Sequence, residues 1–339
     1  MLIQNFKKVE FKQFWPKNKQ IIRKSKDKTS ISIVTAFFDL DRALWGKGKL
    51  KSINTRHVRT NDDYLKYFFH LAKVKNQLII YIDEKLAHHV LMVRKRYGLE
   101  NNTIIFTHRN FFKDQAVAEI IKKIESNMTE ELYRFVWNPN SPKFHSAKYV
   151  LMNSFKSMFV NRVSNLNMIS SNQAAWIDFG YCRSESDMDA KEEWKFNAKN
   201  KINLFQIKQL DKTPIFNIIK NLDIYFHGSK ILGNIENWAI FEKQIDESFS
   251  SLLNCGFVDD DQLLLLMAYR LKPKNFILHP ISPHNPRVVF KHYISHTKPP
   301  PIKLEPVKKR RSPIWLMELK LAFRRFKDKI KLKIWSTRK

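Results

Sequence analysis

The sequence predicts an α/β protein built on a mostly parallel central sheet with helices on both faces. Two observations carry this. Short β-branched and aromatic runs alternate with stretches at helical spacing, and acidic or cationic residues punctuate the ends of those runs. A third sets the scale: 339 residues with 43% hydrophobic content can bury a substantial core.

The elements follow in order. Residues 31–38, Ile-Ser-Ile-Val-Thr-Ala-Phe-Phe, are apolar nearly throughout, as a strand covered on both faces must be. Asn61-Asp62-Asp63 supplies a helix cap, and Tyr64, Leu65, Phe68, Phe69, Leu71 and Ala72 follow on one face. A second strand is expected over 77–83 and a second helix over 85–97, with Gly98 suited to its C′ position. A third strand is expected over 103–107. This order implies right-handed crossovers and parallel pairing. Helical patterns dominate 114–165, interrupted near Asn138–Pro142. Further strands are expected over 174–179, 222–227 and 276–278, and helices over 237–254 and 259–270. Residues 184–194 are polar and acidic, as in a loop or an exposed helix.

Charge divides the chain. The formal net charge is +29, and residues 1–30 and 298–339 together hold 19 of it. We expect a basic N-terminal segment over 1–29, one domain over 30–297, a stiff Pro-rich basic linker over 298–311, and a basic amphipathic helix over 312–339. In that helix Trp315, Leu319, Phe323, Phe326, Ile330 and Ile334 form one apolar stripe flanked by Lys and Arg. Tryptophan at both ends suits an anionic membrane surface. Packing on the body and nucleic-acid binding are the other readings of this helix.

No apolar run approaches the length of about 18 residues that spans a bilayer. No signal peptide is expected. The two cysteines, Cys182 and Cys255, have no metal-ligand spacing and imply no disulfide framework. The expected compartment is the cytoplasm.

In doubly wound sheets, ligands sit outside the carboxyl ends of the strands. Asp39, Asp83 and Asp178 stand at three such ends, whereas the third strand ends in Thr107-His108-Arg109. Asp83 precedes a helix and reads as a cap as readily as a ligand contact. Asp178 lies in Trp-Ile-Asp-Phe-Gly-Tyr with no helix pattern behind it, the setting of a divalent-metal or diphosphate contact. Asp-Phe-Gly also occurs in protein kinases, but no Gly-rich loop, strand lysine or His-Arg-Asp accompanies it. Arg56 and Arg59 offer positive charge for a diphosphate leaving group, or form a solvated basic loop. His227-Gly228 forms a turn, Asp259-Asp260-Asp261 opens a helix, and His88-His89 is given no role.

Several stretches resemble the bacterial HtrL/YibB-like family, a group with a GT-A type glycosyltransferase fold. They are Val34–Asp39 with Arg42 and Trp45, Tyr64–Phe68, Leu78–Asp83, and Lys148–Met152 leading into Ala175–Tyr181. The Trp-Ile-Asp-Phe-Gly-Tyr stretch is the most distinctive, and the resemblance covers roughly residues 30 to 278. It implies transfer from a nucleotide-diphosphate sugar, with a divalent metal (Mn or Mg) at Asp178, to a glycan or lipid-linked glycan acceptor of surface polysaccharide or lipopolysaccharide synthesis. It places Thr35, Ala36, Asp39, Arg59, Asp83, Asp178, Gly180, His227 and Gly228 at the donor. It makes Asp260 or Asp261 the catalytic base. Gly180 stands where a GT-A Asp-x-Asp motif has its second acid, so the metal rests on Asp178 with a distant ligand such as His292 or His296, or is absent.

The opposing expectations are a non-enzymatic basic protein that binds nucleic acid, or a degenerate transferase acting as a scaffold. The first rests on charge alone. That charge is concentrated in the termini and no recognition motif accompanies it, so no specific nucleic acid is expected.

Overall fold

A computed structural model describes residues 2–17, 22, 24–47, 57–187, 193–282 and 304. Among them, eight strands form one sheet: β1 (Lys12–Trp15), β2 (Ile31–Phe37), β3 (Leu78–Asp83), β4 (Thr103–His108), β5 (Gln173–Ile177), β6 (Ile202–Gln206), β7 (Lys230–Asn234) and β8 (Phe276–Pro280). Their order is β1-β4-β3-β2-β5-β7-β6-β8. The pairs β4–β3, β3–β2, β2–β5 and β6–β8 are parallel, while β1 and β7 run against their neighbours. The chain leaves β2 toward β3 on one side and returns as β5 on the other. The β2/β5 boundary is therefore the switch point at which such sheets open a crevice.

Strand alternation separates two cores. Val34 and Ala36 of β2 face the larger one, with α1 (Leu2–Lys8), α4 (Gln115–Glu125), α5 (Glu130–Phe135), α6 (Ala147–Ser154), α7 (Lys156–Asn165), α8 (Ile215–Asn221), α9 (Ile235–Asn254) and α10 (Asp261–Leu271). Ile31, Ile33 and Phe37 face the other, with α2 (Asn61–Leu71) and α3 (Glu84–Arg96). Helices thus cover both faces, as expected for strands that are apolar on both sides.

Local differences from the sequence reading have physical causes. The cap of α2 is Thr60, not the acids after it: its side chain accepts from the Asp63 N–H, and Asp63 answers at the Thr60 N–H, a capping box. Helix α3 ends as expected at Gly98, whose φ is 68°. The Gly98 and Leu99 N–H groups bond the carbonyls of Lys95 and Arg94, a Schellman closure.

Residues 222–227 are not a strand: Leu222 turns left-handed after α8, and Phe226 makes a single bridge to Gln206. The strands there are β6 and β7, and β7 carries Lys230 and Gly233, which hide its pattern. The basic segment 1–29 supplies α1, with Leu2 and Phe6 buried, and β1, paired with β4. The linker 298–311 (save Leu304), the helix expected over 312–339, Arg56, His292 and His296 lie outside the described residues. Among the described residues no helix is long and apolar enough to cross a membrane.

Candidate functional site

Asp178 follows β5 directly, at the carboxyl edge beside the switch point. Its N–H donates to the Ser229 carbonyl at 2.9 Å, and its own carbonyl accepts from the Tyr181 N–H at 2.9 Å. The turn through Phe179 and Gly180 is thereby fixed. The Trp176 indole donates to Oδ1 at 2.7 Å. The side chain keeps 37% of its surface exposed, the most open group of the cluster that follows.

Behind it lies Lys156, which the sequence reading missed. It opens α7 and its side chain is 6% exposed. A buried cation at a helix N-terminus is opposed by both desolvation and the helix dipole. Three oxygens offset this: Asp178 Oδ1 at 2.9 Å, Asp261 Oδ2 at 2.7 Å and the Gly228 carbonyl at 2.9 Å. They match the three N–H donors of an ammonium. Burial pulls the Lys156 pKa down, but Asp178 and Asp261 outweigh it and hold the ammonium above its ordinary range.

The three acids at the start of α10 are all buried but have different partners. Asp259 Oδ1 accepts from Lys143 Nζ at 2.5 Å and from the Asp260 N–H at 2.8 Å. Asp260 is the helix cap, accepting from the Gln262 N–H at 3.3 Å. Asp261 meets Lys156. Burial pushes the carboxyls of Asp259 and Asp261 upward, against the pull of their lysines. The partly buried Tyr149 is held neutral by burial and by the fields of Asp260 and Asp261.

The structure thus brings together Asp178, Gly228 and Asp261, with Asp260 adjoining in the chain. Gly228 is required by close approach: a Cβ there would lie 1.9 Å from Asp261 Oδ2. The neighbouring His227 Nδ1 and Ser229 Oγ share a 2.8 Å hydrogen bond.

Gly180 lies against Tyr64, where a Cβ would meet Cε1 at 3.0 Å. The Tyr64 hydroxyl accepts from Arg42, whose guanidinium also donates to the His57 carbonyl and stacks 4.6 Å from Trp45. Burial raises the Tyr64 pKa, and Arg42, Asp178, Arg183 and Arg59 all act on it electrostatically. The Arg42 guanidinium lies 5.6 Å from the centre of the Tyr64 ring, and that of Arg183 lies 5.9 Å from the centre of the Tyr67 ring. Arg59 also donates to the Val58 carbonyl at 2.6 Å.

Asp39 and Asp83 form a separate group at the ends of β2 and β3. Asp83, placed to cap α3, makes no side-chain cap bond. Its Oδ2 accepts instead from the Asp39 N–H at 2.9 Å, and Asp39 accepts from Asn61 at 2.8 Å. Burial raises the Asp83 pKa.

The donor contacts expected at Thr35 and Ala36 fall on buried positions. Thr35 is fully buried two residues before the end of β2, paired with Ile80, and its hydroxyl has no hydrogen-bond partner among the described residues. Ala36 is 8% exposed and packs in the larger core. Both sit within the sheet and not at its mouth, because β2 continues through Phe37.

The model of a family described as a bacterial protein of unknown function (HtrL_YibB) matches residues 29–283. The chain belongs to the HtrL_YibB family. Protein HtrL of Escherichia coli (strain K12) is 30% identical over 260 residues, covering 74% of this chain and 88% of that protein. Among solved structures, mouse xyloside xylosyltransferase 1 in its apo form superposes with a TM-score of 0.35 and 10% identity, over 74% of this chain and 84% of that one. A likeness of that size decides neither fold nor chemistry.

Among the described residues of this HtrL_YibB chain, the donor set at Asp178 does not fit a resident divalent cation. Among the described residues no three His, Cys, Asp or Glu side chains converge to hold a metal ion. Oδ1 of Asp178 is already engaged by an indole and an ammonium.

Proposed function

We propose that this chain is a glycosyltransferase of GT-A type. It moves a sugar from a nucleotide-diphosphate sugar to a glycan acceptor. The supporting observation is the Asp178–Lys156–Asp261 cluster at the carboxyl edge of β5, buried behind and open in front. Ligands of open α/β sheets occupy that crevice.

The residues divide the work. The diphosphate lies toward Arg42, Arg59 and Arg183, whose guanidiniums balance the charge that builds on the leaving group. Asp178 accepts hydrogen bonds from the sugar. Asp261 is neutralised by Lys156, whereas the described contact of the Asp260 side chain is one backbone N–H. Asp260 is therefore the base. As the acceptor oxygen bonds the anomeric carbon and the bond to the diphosphate oxygen breaks, the acceptor proton passes to Asp260.

The acceptor in this reading is a lipid-linked or surface glycan of the lipopolysaccharide kind. The enzyme is cytoplasmic, docked on the anionic inner face of the plasma membrane through residues 312–339. The net charge of +12 over residues 298–339 and the apolar stripe support that docking.

Calorimetry with nucleoside diphosphates and a donor-hydrolysis assay test the reading. The full chain is expected to bind and slowly hydrolyse one donor. Asp178→Ala is expected to lower turnover by about 10²–10³-fold, the usual loss when one preorganised polar group is removed. A chain that binds no nucleoside diphosphate, with or without manganese, does not have this function.

A further inference from the structure

The acid that the family resemblance assigns to a metal is held by a lysine. We propose that the Lys156 ammonium is a built-in cation standing in the place of a divalent metal between Asp178 and Asp261, so that a nucleoside diphosphate is received without metal. This deepens the glycosyltransferase reading and rests on it for the identity of the ligand. The occupancy of the site by the ammonium rests on geometry alone.

Two carboxylate oxygens and a backbone carbonyl surround one point. That all-oxygen set is what hard divalent cations choose. In this chain the point is filled by Nζ, at 2.7–2.9 Å from each oxygen. Those are ammonium–oxygen hydrogen-bond lengths, well beyond the roughly 2.1 Å of magnesium coordination.

The lysine cannot readily step aside. It starts a helix packed against β2, β5 and α9, its Nζ lies 6.0 Å from the centre of the Trp176 ring, and the residue is 4% exposed. The two carboxylates and one ammonium leave the cluster with a net charge of −1. The charge that attracts a diphosphate must then come from other groups. Arg42 beside Tyr64 and Arg183 beside the neighbouring Tyr67 are the guanidiniums that the functional reading assigns to it. The fixed ammonium thus holds Asp178 and Asp261 in place while the guanidiniums take the phosphates.

A small cavity adjoins the cluster, lined in part by Asn153, Ser154, Ser157, Lys156 and Asp261. Shortening Lys156 would join its volume to that space. The three oxygens would remain, with room for water ligands. The inference therefore predicts a gain of metal binding on loss of the lysine.

Manganese titrations followed by electron paramagnetic resonance test this on the full-length protein. The wild type is expected to leave the free manganese signal undiminished. Lys156→Ala is expected to remove one equivalent per chain, and Lys156→Ala with Asp178→Asn to restore the signal. Lys156→Arg, which keeps the cation, is expected to behave as wild type. A wild-type chain that binds manganese in an Asp178-dependent manner overturns the inference, and so does a folded Lys156→Ala chain that binds none. If Lys156→Ala does not fold, the wild-type titration with its Asp178→Asn control decides alone. Calorimetry with uridine and guanosine diphosphates in EDTA and in manganese gives the second arm. Equal affinity in both supports the inference, and binding that requires manganese overturns it. Failure to bind any nucleotide in either condition refutes the functional reading, and the resonance measurement still decides whether Lys156 occupies the cation position.

Discussion

Two buried lysines meet the start of α10, and their surroundings differ in one respect. Lys143, from the short helical turn Pro142–Phe144, meets Asp259 with both side chains sealed, at 7% and 2% exposure. Lys156 meets Asp261, at 9%, and also Asp178, at 37%. The first pair is closed and electrically balanced. The second has one acid too many and an opening to solvent. A balanced, sealed pair can clasp two segments but has nothing to offer a ligand. In the unbalanced cluster the described side-chain contacts of Asp178 fall on Oδ1, and the side chain is 37% exposed. Asp259 and Asp261 are two residues apart, so the same tripeptide serves both purposes.

Breaking the sealed pair gives the largest effect on stability. Lys143→Met leaves the Asp259 carboxylate buried without a cation, which typically costs about 3–5 kcal/mol. Denaturant unfolding should show that loss, while the folded fraction should keep any nucleotide affinity. Adding Asp259→Leu should recover most of it, because replacing both partners of a buried pair removes the uncompensated charge. If Lys143→Met instead abolishes nucleotide binding in a chain that remains folded, the division into clasp and site is wrong.

The division was partly legible in the sequence. Asp178 stood out because it follows a strand with no helix pattern behind it, whereas capping and a plain turn explain Asp260, Asp261 and Gly228 as well, and the family resemblance marked them. Lys156 did not stand out. A lone lysine in the apolar stretch from Val150 to Val163 looks like the solvent face of a helix, and only tertiary packing shows it turned inward. The fold was legible where strands are fully apolar, as in β2 to β5. It was not where Lys230 and Gly233 interrupt β7, or where the short β1 hides in a basic segment.

A fourth buried acid extends the comparison to a carboxyl that, among the described residues, makes no lysine ion pair. Glu242 of α9 accepts from the Asn161 amide, and burial raises its pKa from 4.5 to about 7. The folded protein then binds this proton more tightly than the unfolded chain. Stability from this group is full below about 4.5, is lost as pH rises toward 7, and stays lost above it. A shift of that size corresponds to about 3 kcal/mol. The difference in unfolding free energy between wild type and Glu242→Gln should therefore change by that order between pH 5 and pH 8, in favour of the variant at high pH. A difference that is flat with pH would mean the carboxyl is neutralised by some other cation.

The smallest effect comes from the contact that sets the open cluster's geometry. Gly228 supplies a carbonyl to Lys156 and leaves space for Asp261, whose Oδ2 and Cγ would lie 1.9 and 2.5 Å from an added Cβ. In Gly228→Ala the carboxylate must swing away, stretching its 2.7 Å contact with Lys156, while the carbonyl at 228 stays. Overpacking of this kind costs about 1–3 kcal/mol. The loss should be smaller than for Lys143→Met, because Asp178 still compensates the ammonium and water can reach that side of the cluster. Among the described residues Lys143 has one acid in contact, Asp259, and both side chains are buried. If Gly228→Ala destabilises the chain as much as Lys143→Met, the open cluster is as sealed as the closed one, and solvent access through Asp178 does not distinguish them.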